Sequence, residues 1–99
     1  MKLKEELQER MCNFLLGHWN LSMDSVEAPL QEIIDEYTKE GLMEEIDMIH
    51  SFLTSDDPDD WKVNFIMSNT EIFWPNMEET PLHWLTHVKA KLEDALLKK

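Results

Sequence analysis

The sequence predicts an all-α fold, a compact single-domain bundle of about five helices with short connections over residues 1–99. Three observations predict it. Apolar residues recur at intervals of three and four nearly throughout the chain. Two glycines and four prolines are too few for the many tight turns of sandwiches and barrels. Leu, Glu, Lys and Met, which lose little side-chain freedom in a helix, are plentiful. An apolar share of 42 % in 99 residues supplies one core and leaves nothing for a second.

The elements follow in order. Leu3, Leu7, Met11, Phe14 and Leu15 form one stripe and predict a helix over about residues 3–16. Gly17 after it reads as a C-cap, because glycine enters the left-handed region at little cost. Residues 18–28 read as an irregular connection punctuated by Ser22, Asp24 and Ser25. Pro29 suits the first turn of a second helix, where its missing N–H does no harm, with Leu30, Ile33, Ile34 and Tyr37 inward. Gly41 is expected to end it. A third helix over about 42–53 turns Leu42, Ile46, Ile49 and Leu53 inward. Asp57 before Pro58 reads as the N-cap of a fourth helix, with Asp59 and Asp60 in its first turn, where the helix dipole favours acids. That helix carries Trp61, Phe65 and Ile66 inward and ends near Ser68. A loop over 69–79 holds Phe73, Trp74 and Pro75. Thr80-Pro81 then caps a last helix reaching about Leu97, with Leu85, Val88, Leu92 and Leu96 on one face. No segment alternates for long enough to read as a strand.

Charge narrows the function classes. The formal net charge is −12, and it is not evenly spread. Residues 24–60 hold thirteen Asp/Glu against one base, Lys39, while the rest of the chain has eight acids and eight bases. Such a chain is repelled by nucleic acid and by anionic membranes, and it attracts basic proteins. Its single cysteine, Cys12, allows no intrachain disulfide and reads as a structural thiol in a helix. No apolar run approaches a membrane span, and MKLKEELQER lacks the apolar core of a signal peptide, so a cytoplasmic location is expected.

No catalytic residue, cofactor site or metal site is expected. His83 and His87 share a helix face four residues apart, with Glu79 one turn upstream, but residue 84 is Trp and no HExxH motif exists. Asp56-Asp57-Pro58-Asp59-Asp60 lacks the glycine a calcium loop needs for its turn, and helix capping explains it. Two glycines in all leave no phosphate-cradling loop. Trp61 and Trp84 read as core. Trp19 and Trp74, at helix ends or in loops, read equally as lids over the core or as interface anchors.

Several segments have a family likeness. They are Phe14-Leu15-Leu16-Gly17-His18-Trp19, the acidic helix Ala28-Pro29-Leu30-Gln31-Glu32-Ile33-Ile34-Asp35-Glu36-Tyr37, and Ile49-His50-Ser51-Phe52-Leu53 before the acidic turn. Near the C-terminus Trp74-Pro75 precedes Thr80 and then Trp84-Leu85. In these the chain resembles the immunity proteins of bacterial contact-dependent growth inhibition systems, in particular a small all-helical group. It departs from them after Gly17. There Ser22-Met23-Asp24 keeps only the acid of an acidic–aromatic pair. The resemblance implies an antitoxin. Such a protein binds the basic C-terminal toxin domain of a large secreted effector, often a nuclease, and neutralises it as a one-to-one heterodimer. The candidate toxin-binding residues are Glu44, Glu45 and Asp47, then Asp56, Asp59 and Asp60, with Trp74, Glu78 and Glu79 as a second patch. Asp57 is the weakest member of the acidic turn, since capping accounts for it. The alternative is an acidic helical adaptor or structural subunit that docks through Phe73 and Trp74.

Overall fold

Glu5 and Glu6 open the first helix, α1 (Glu5–His18), where the exposed N–H groups favour negative charge. A computed structural model describes residues 2–99 and shows five α-helices with no strand among them. After α1 come α2 (Ala28–Glu36), α3 (Lys39–Thr54), α4 (Asp59–Ser68), a 3-10 turn at Trp74–Asn76, and α5 (Pro81–Lys98). Among the described residues no helix is long and apolar enough to cross a membrane.

Packing centres on α3 and α5, which meet most extensively. α1 lies on α3, while α4 and α2 lie on α5. Met11, Leu15, Leu42, Ile49, Phe52, Ile66, Leu85 and Leu92 are fully buried between them. Each such side chain contributes about 1.5–3 kcal/mol by leaving water. On α3 the stripe includes Met48 and Phe52 as well as Leu42, Ile46 and Ile49. Leu53 lies at its edge, half-buried. Trp84 is buried, whereas Trp61 and Phe65 are half-buried and stack on Phe52 at the rim of the core.

Three of the expected punctuation marks work differently. Gly17 does not cap α1. It sits inside the helix with no positive φ, and the helix runs one residue further to deliver Trp19. Trp19 is wholly buried, so it belongs to the core and is neither lid nor anchor. Its burial outweighs the weak helix propensity of one glycine. Gly41 does not end α2 either. The chain leaves the helix at Tyr37, and Thr38 caps α3 by accepting from the Gly41 N–H at 3.1 Å, which places Gly41 in the first turn of α3. Asp57 is not the cap of α4, which has Pro58 in that position. Its Oδ2 accepts from the Leu3 N–H and the Ser55 hydroxyl, both at 2.9 Å. The carboxylate thereby pins the segment before α1 to the α3–α4 turn. The Leu3 hydrogen bond, above all, holds this carboxyl below its usual range. Thr80 caps α5 as its sequence suggests, accepting from the His83 N–H at 3.3 Å.

Lys62 is the one buried charged side chain among the described residues. Its Nζ donates to the carbonyls of Leu53 and Ser55 at 2.9 and 2.8 Å, closing the C-terminal end of α3, where cations are favoured. Cys12 is half-buried, and its thiol donates to Asn69 Oδ1 at 3.0 Å, which links α1 to the end of α4.

Two stability changes follow. A Cβ at Gly17 meets nothing within 4 Å. Gly17→Ala is therefore expected to raise stability by about 0.5–1 kcal/mol in urea unfolding. A left-handed cap would give a loss instead. Lys62→Met leaves two carbonyls without their donor and is expected to cost about 1–3 kcal/mol in the same measurement.

Candidate functional site

The acidic third of the chain does not form one surface. Glu32 and Glu36 of α2 act electrostatically on His18, Glu36 and Glu45 act on Tyr37, and Glu44 acts on Glu45, so these acids gather about the His18–Tyr37 pair. Asp56, Asp59 and Asp60 lie beyond the other end of α3, exposed at the turn into α4. Asp47 faces outward on α3, away from its buried stripe. Glu78 and Glu79 lie before α5 beside a separate cleft. Trp74 is half-buried with its ring edge-on to Trp84 at 5.6 Å, and its Nε1 is covered without a hydrogen-bond partner among the described residues.

The first group builds a pocket. Arg10, Asn13, Phe14 and His18 of α1, Tyr37 of the α2–α3 link, and Glu45 and Met48 of α3 enclose about 290 Å³. His18 Nε2 and the Tyr37 hydroxyl are 3.0 Å apart and hydrogen-bonded. The His18 ring rests edge-on against Phe14 at 5.4 Å. Glu45 is half-buried, and its Oε2 is fully covered yet finds no hydrogen-bond partner among the described residues. A buried acceptor in that state costs free energy, more so when charged.

The titratable groups register this environment. Burial pushes the Glu45 carboxyl up and Glu44 adds to the effect, while Arg10 opposes it. Burial holds the His18 imidazole down, against the pull of Glu32 and Glu36. Burial, Glu45 and Glu36 together push the Tyr37 phenol up. Shifted groups gathered in one concavity are a physical marker of a candidate functional site. Chemically this is an acceptor pocket. The Glu45 carboxyl and the Tyr37 phenol line it with the Arg10 guanidinium, Glu32, Glu36 and Glu44 add negative charge nearby, and the donor that Glu45 Oε2 lacks is the unmet demand.

Of the candidate toxin-binding residues, the pocket takes Glu45 alone, with Glu44 acting on it from outside the lining. It also uses Arg10, His18 and Tyr37, with Glu36 acting on His18 and Tyr37 from nearby, and sequence reasoning assigned none of these to a site. Two signals were legible: His18 falls one turn after Phe14, and Glu32 and Glu36 fall one turn apart on α2. The His83/His87 pair is organised by a single carboxylate oxygen. Glu79 Oε1 lies 3.1 Å from His87 Nδ1 and 3.5 Å from His83 Nδ1. Among the described residues no group of three or more His, Cys, Asp or Glu is arranged to hold a metal ion.

No family model matches this chain, and neither a curated protein nor a solved structure does.

The opposed shifts of His18 and Glu45 give a pH signature. The folded state resists protonating His18, so its share of stability is full above 6.5 and is lost as pH falls through the lowered folded value. Glu45 runs the other way. Its share is full below 4.5 and is lost as pH rises through the raised value. Between about pH 7.5 and about pH 5.5, His18→Gln should lose less urea stability than the parent chain. Equal losses would remove His18 from the account.

Proposed function

We propose that this chain is a protein-binding module that captures a basic partner domain, as an immunity protein captures its toxin, through the carboxylate pocket at the α2–α3 junction. The observation that carries the reading is the covered, unpartnered Oε2 of Glu45 in the most acidic part of the chain. A carboxylate kept in that state is poorly explained by stability, because a neutral side chain of the same shape would avoid the cost. An arginine or lysine of a partner, entering the pocket and drawing the Glu45 carboxyl out of its cover, supplies the missing donor, and charge-assisted hydrogen bonds are the strong ones.

The charge supports the same reading over longer range. A net charge of −12, concentrated in residues 24–60, steers a basic domain toward this face before contact. If the partner is a nuclease, an acidic surface seated on its phosphate-binding cleft excludes substrate directly, because that cleft must be basic. The family likeness in Phe14–Trp19 and in the acidic α2 agrees with this, since both segments line or border the pocket. The adaptor reading has its own support in Phe73, which is 65 % exposed beside half-buried Trp74.

Affinity capture at low and high salt tests the proposal, with a charge-reversed variant in parallel. A basic partner should be held at low salt and released more readily at high salt. Glu36→Lys with Glu44→Lys should weaken it by about tenfold or more, since both side chains are exposed and are the sequence neighbours of the lining residues Tyr37 and Glu45. Asp59→Lys with Asp60→Lys, at the far end of α3, should weaken it less. The reverse order would move the interface to the turn. Salt-insensitive capture that depends on Phe73 instead would favour the adaptor.

Glu45→Gln separates function from stability. The variant should unfold at an equal or higher urea concentration than the parent near neutral pH, and should bind the partner about tenfold more weakly. Loss of both properties together would make Glu45 a structural residue only.

A further inference from the structure

At the other end of α2 lies a second cleft, of about 470 Å³, which the Glu45 pocket does not include and which takes in Glu78 and Glu79 of the second acidic patch. Its floor is apolar. Trp84 and Val88 of α5, Leu30 of α2, and Met77 after the 3-10 turn line it. Trp84 is held from behind by edge-on contact with Trp19 at 5.0 Å and with Trp74 at 5.6 Å, so the floor is rigid. The rim is mainly acidic. Glu27 and Glu78 stand exposed on it, and Glu79 is tied to His87. Lys91 is the one lysine or arginine lining the cleft.

The two halves of this cleft set opposite demands. A compact cation would meet the carboxylates but leave the apolar floor wet. A purely apolar group would cover the floor and leave Lys91 as the one lysine or arginine among the rim carboxylates, and an anion would face the repulsion of Glu27 and Glu78. A long apolar stem ending in a positive charge satisfies both, and Lys and Arg side chains have that form. Cleft volume and lining also fall in the range of ordinary binding sites. We propose that this cleft is a second recognition site, which takes an arginine or lysine side chain of the basic partner along the Trp84 floor with its charged end between Glu27 and Glu78. This rests on the partner reading above and extends it, because α2 then bridges two cation sockets with different chemistry, one polar at the Tyr37 end and one apolar-floored at the Glu27 end.

The test uses the folded chain and two blocked dipeptides, acetyl-Leu-Arg-amide and acetyl-Leu-Gln-amide, followed by the tryptophan indole N–H signals in nuclear magnetic resonance. Trp84 reports on the cleft. Trp61, which packs with Phe52 and Phe65, serves as the internal control. The arginine probe should shift the Trp84 signal saturably while Trp61 stays put, and the glutamine probe should bind about fivefold or more weakly. Glu27→Gln with Glu78→Gln should weaken the arginine probe to a similar degree, about fivefold, with unfolding unchanged, since both residues are exposed. Equal binding of the two probes, an unaffected double variant, or matching shifts at Trp61 would overturn the cleft. Free agmatine, a guanidinium on a short alkyl chain, should bind as weakly as the glutamine probe or more so. Agmatine binding tighter than the dipeptide would reassign the site to a free amine and overturn the partner side chain. The titration needs no partner. Its failure therefore leaves the Glu45 pocket standing, whereas failure of the salt and charge-reversal experiment removes the partner reading whatever the probes do.

Discussion

The fold depends on burying one residue, Trp19. It sits just past the end of α1 with none of its surface exposed, edge-on to Phe14 at 5.5 Å and to Trp84 at 5.0 Å. Its indole N–H donates to the Val26 carbonyl at 2.9 Å, and its own carbonyl accepts from the Glu71 N–H at 2.8 Å. One residue, by its side chain and its backbone carbonyl, therefore ties α1, the link into α2, the α4–α5 loop and α5 to one another. A buried Trp brings a large apolar area and a donor that must be satisfied, and here both are met at once. The continuation of α1 through Gly17 and the rigidity of the Trp84 cleft floor are consequences of that placement.

Around this anchor the helix ends are closed by unlike devices. Thr38 and Thr80 cap α3 and α5 with their own hydroxyls. Lys62 closes the C-terminal end of α3 from a neighbouring helix. Asp57 binds the N-terminal segment, and Lys99 reaches back to the Tyr37 carbonyl at 2.6 Å, so both ends of the described chain are tied to turns of the bundle. Between these ties α2 is anchored in the core chiefly by Ile33 and Pro29. It is also the element that separates the two clefts.

The polar interior is uneven in an informative way. Lys62, though deeply buried, has two carbonyl partners. Glu45, less deeply buried, has a covered oxygen without one, and lies between the opposite charge of Arg10 and the like charge of Glu44. The deepest charge is thus satisfied within the fold while a shallower carboxyl is left in want, a cost that a neutral side chain would avoid.

Apolar spacing by itself determined the helical class, the five helices and most of the inward stripe, since a period of three to four residues leaves one face to bury. Thr80-Pro81 and Pro29 marked helix starts correctly because N-terminal capping is local chemistry, settled within four residues. Gly17 and Asp57 were misread for the converse reason: a local preference was overruled by the packing of Trp19 in the core and by Leu3, fifty-four positions away. Gly41 was misread within local range, because Thr38, three positions before it, caps α3. The net charge was legible, but its division was not. Which acids converge on His18 and Tyr37, and which fall at the far end of α3, depends on how α2 lies beside α1 and α3. That arrangement is decided by side-chain packing between segments remote in sequence, and only the tertiary structure contains it.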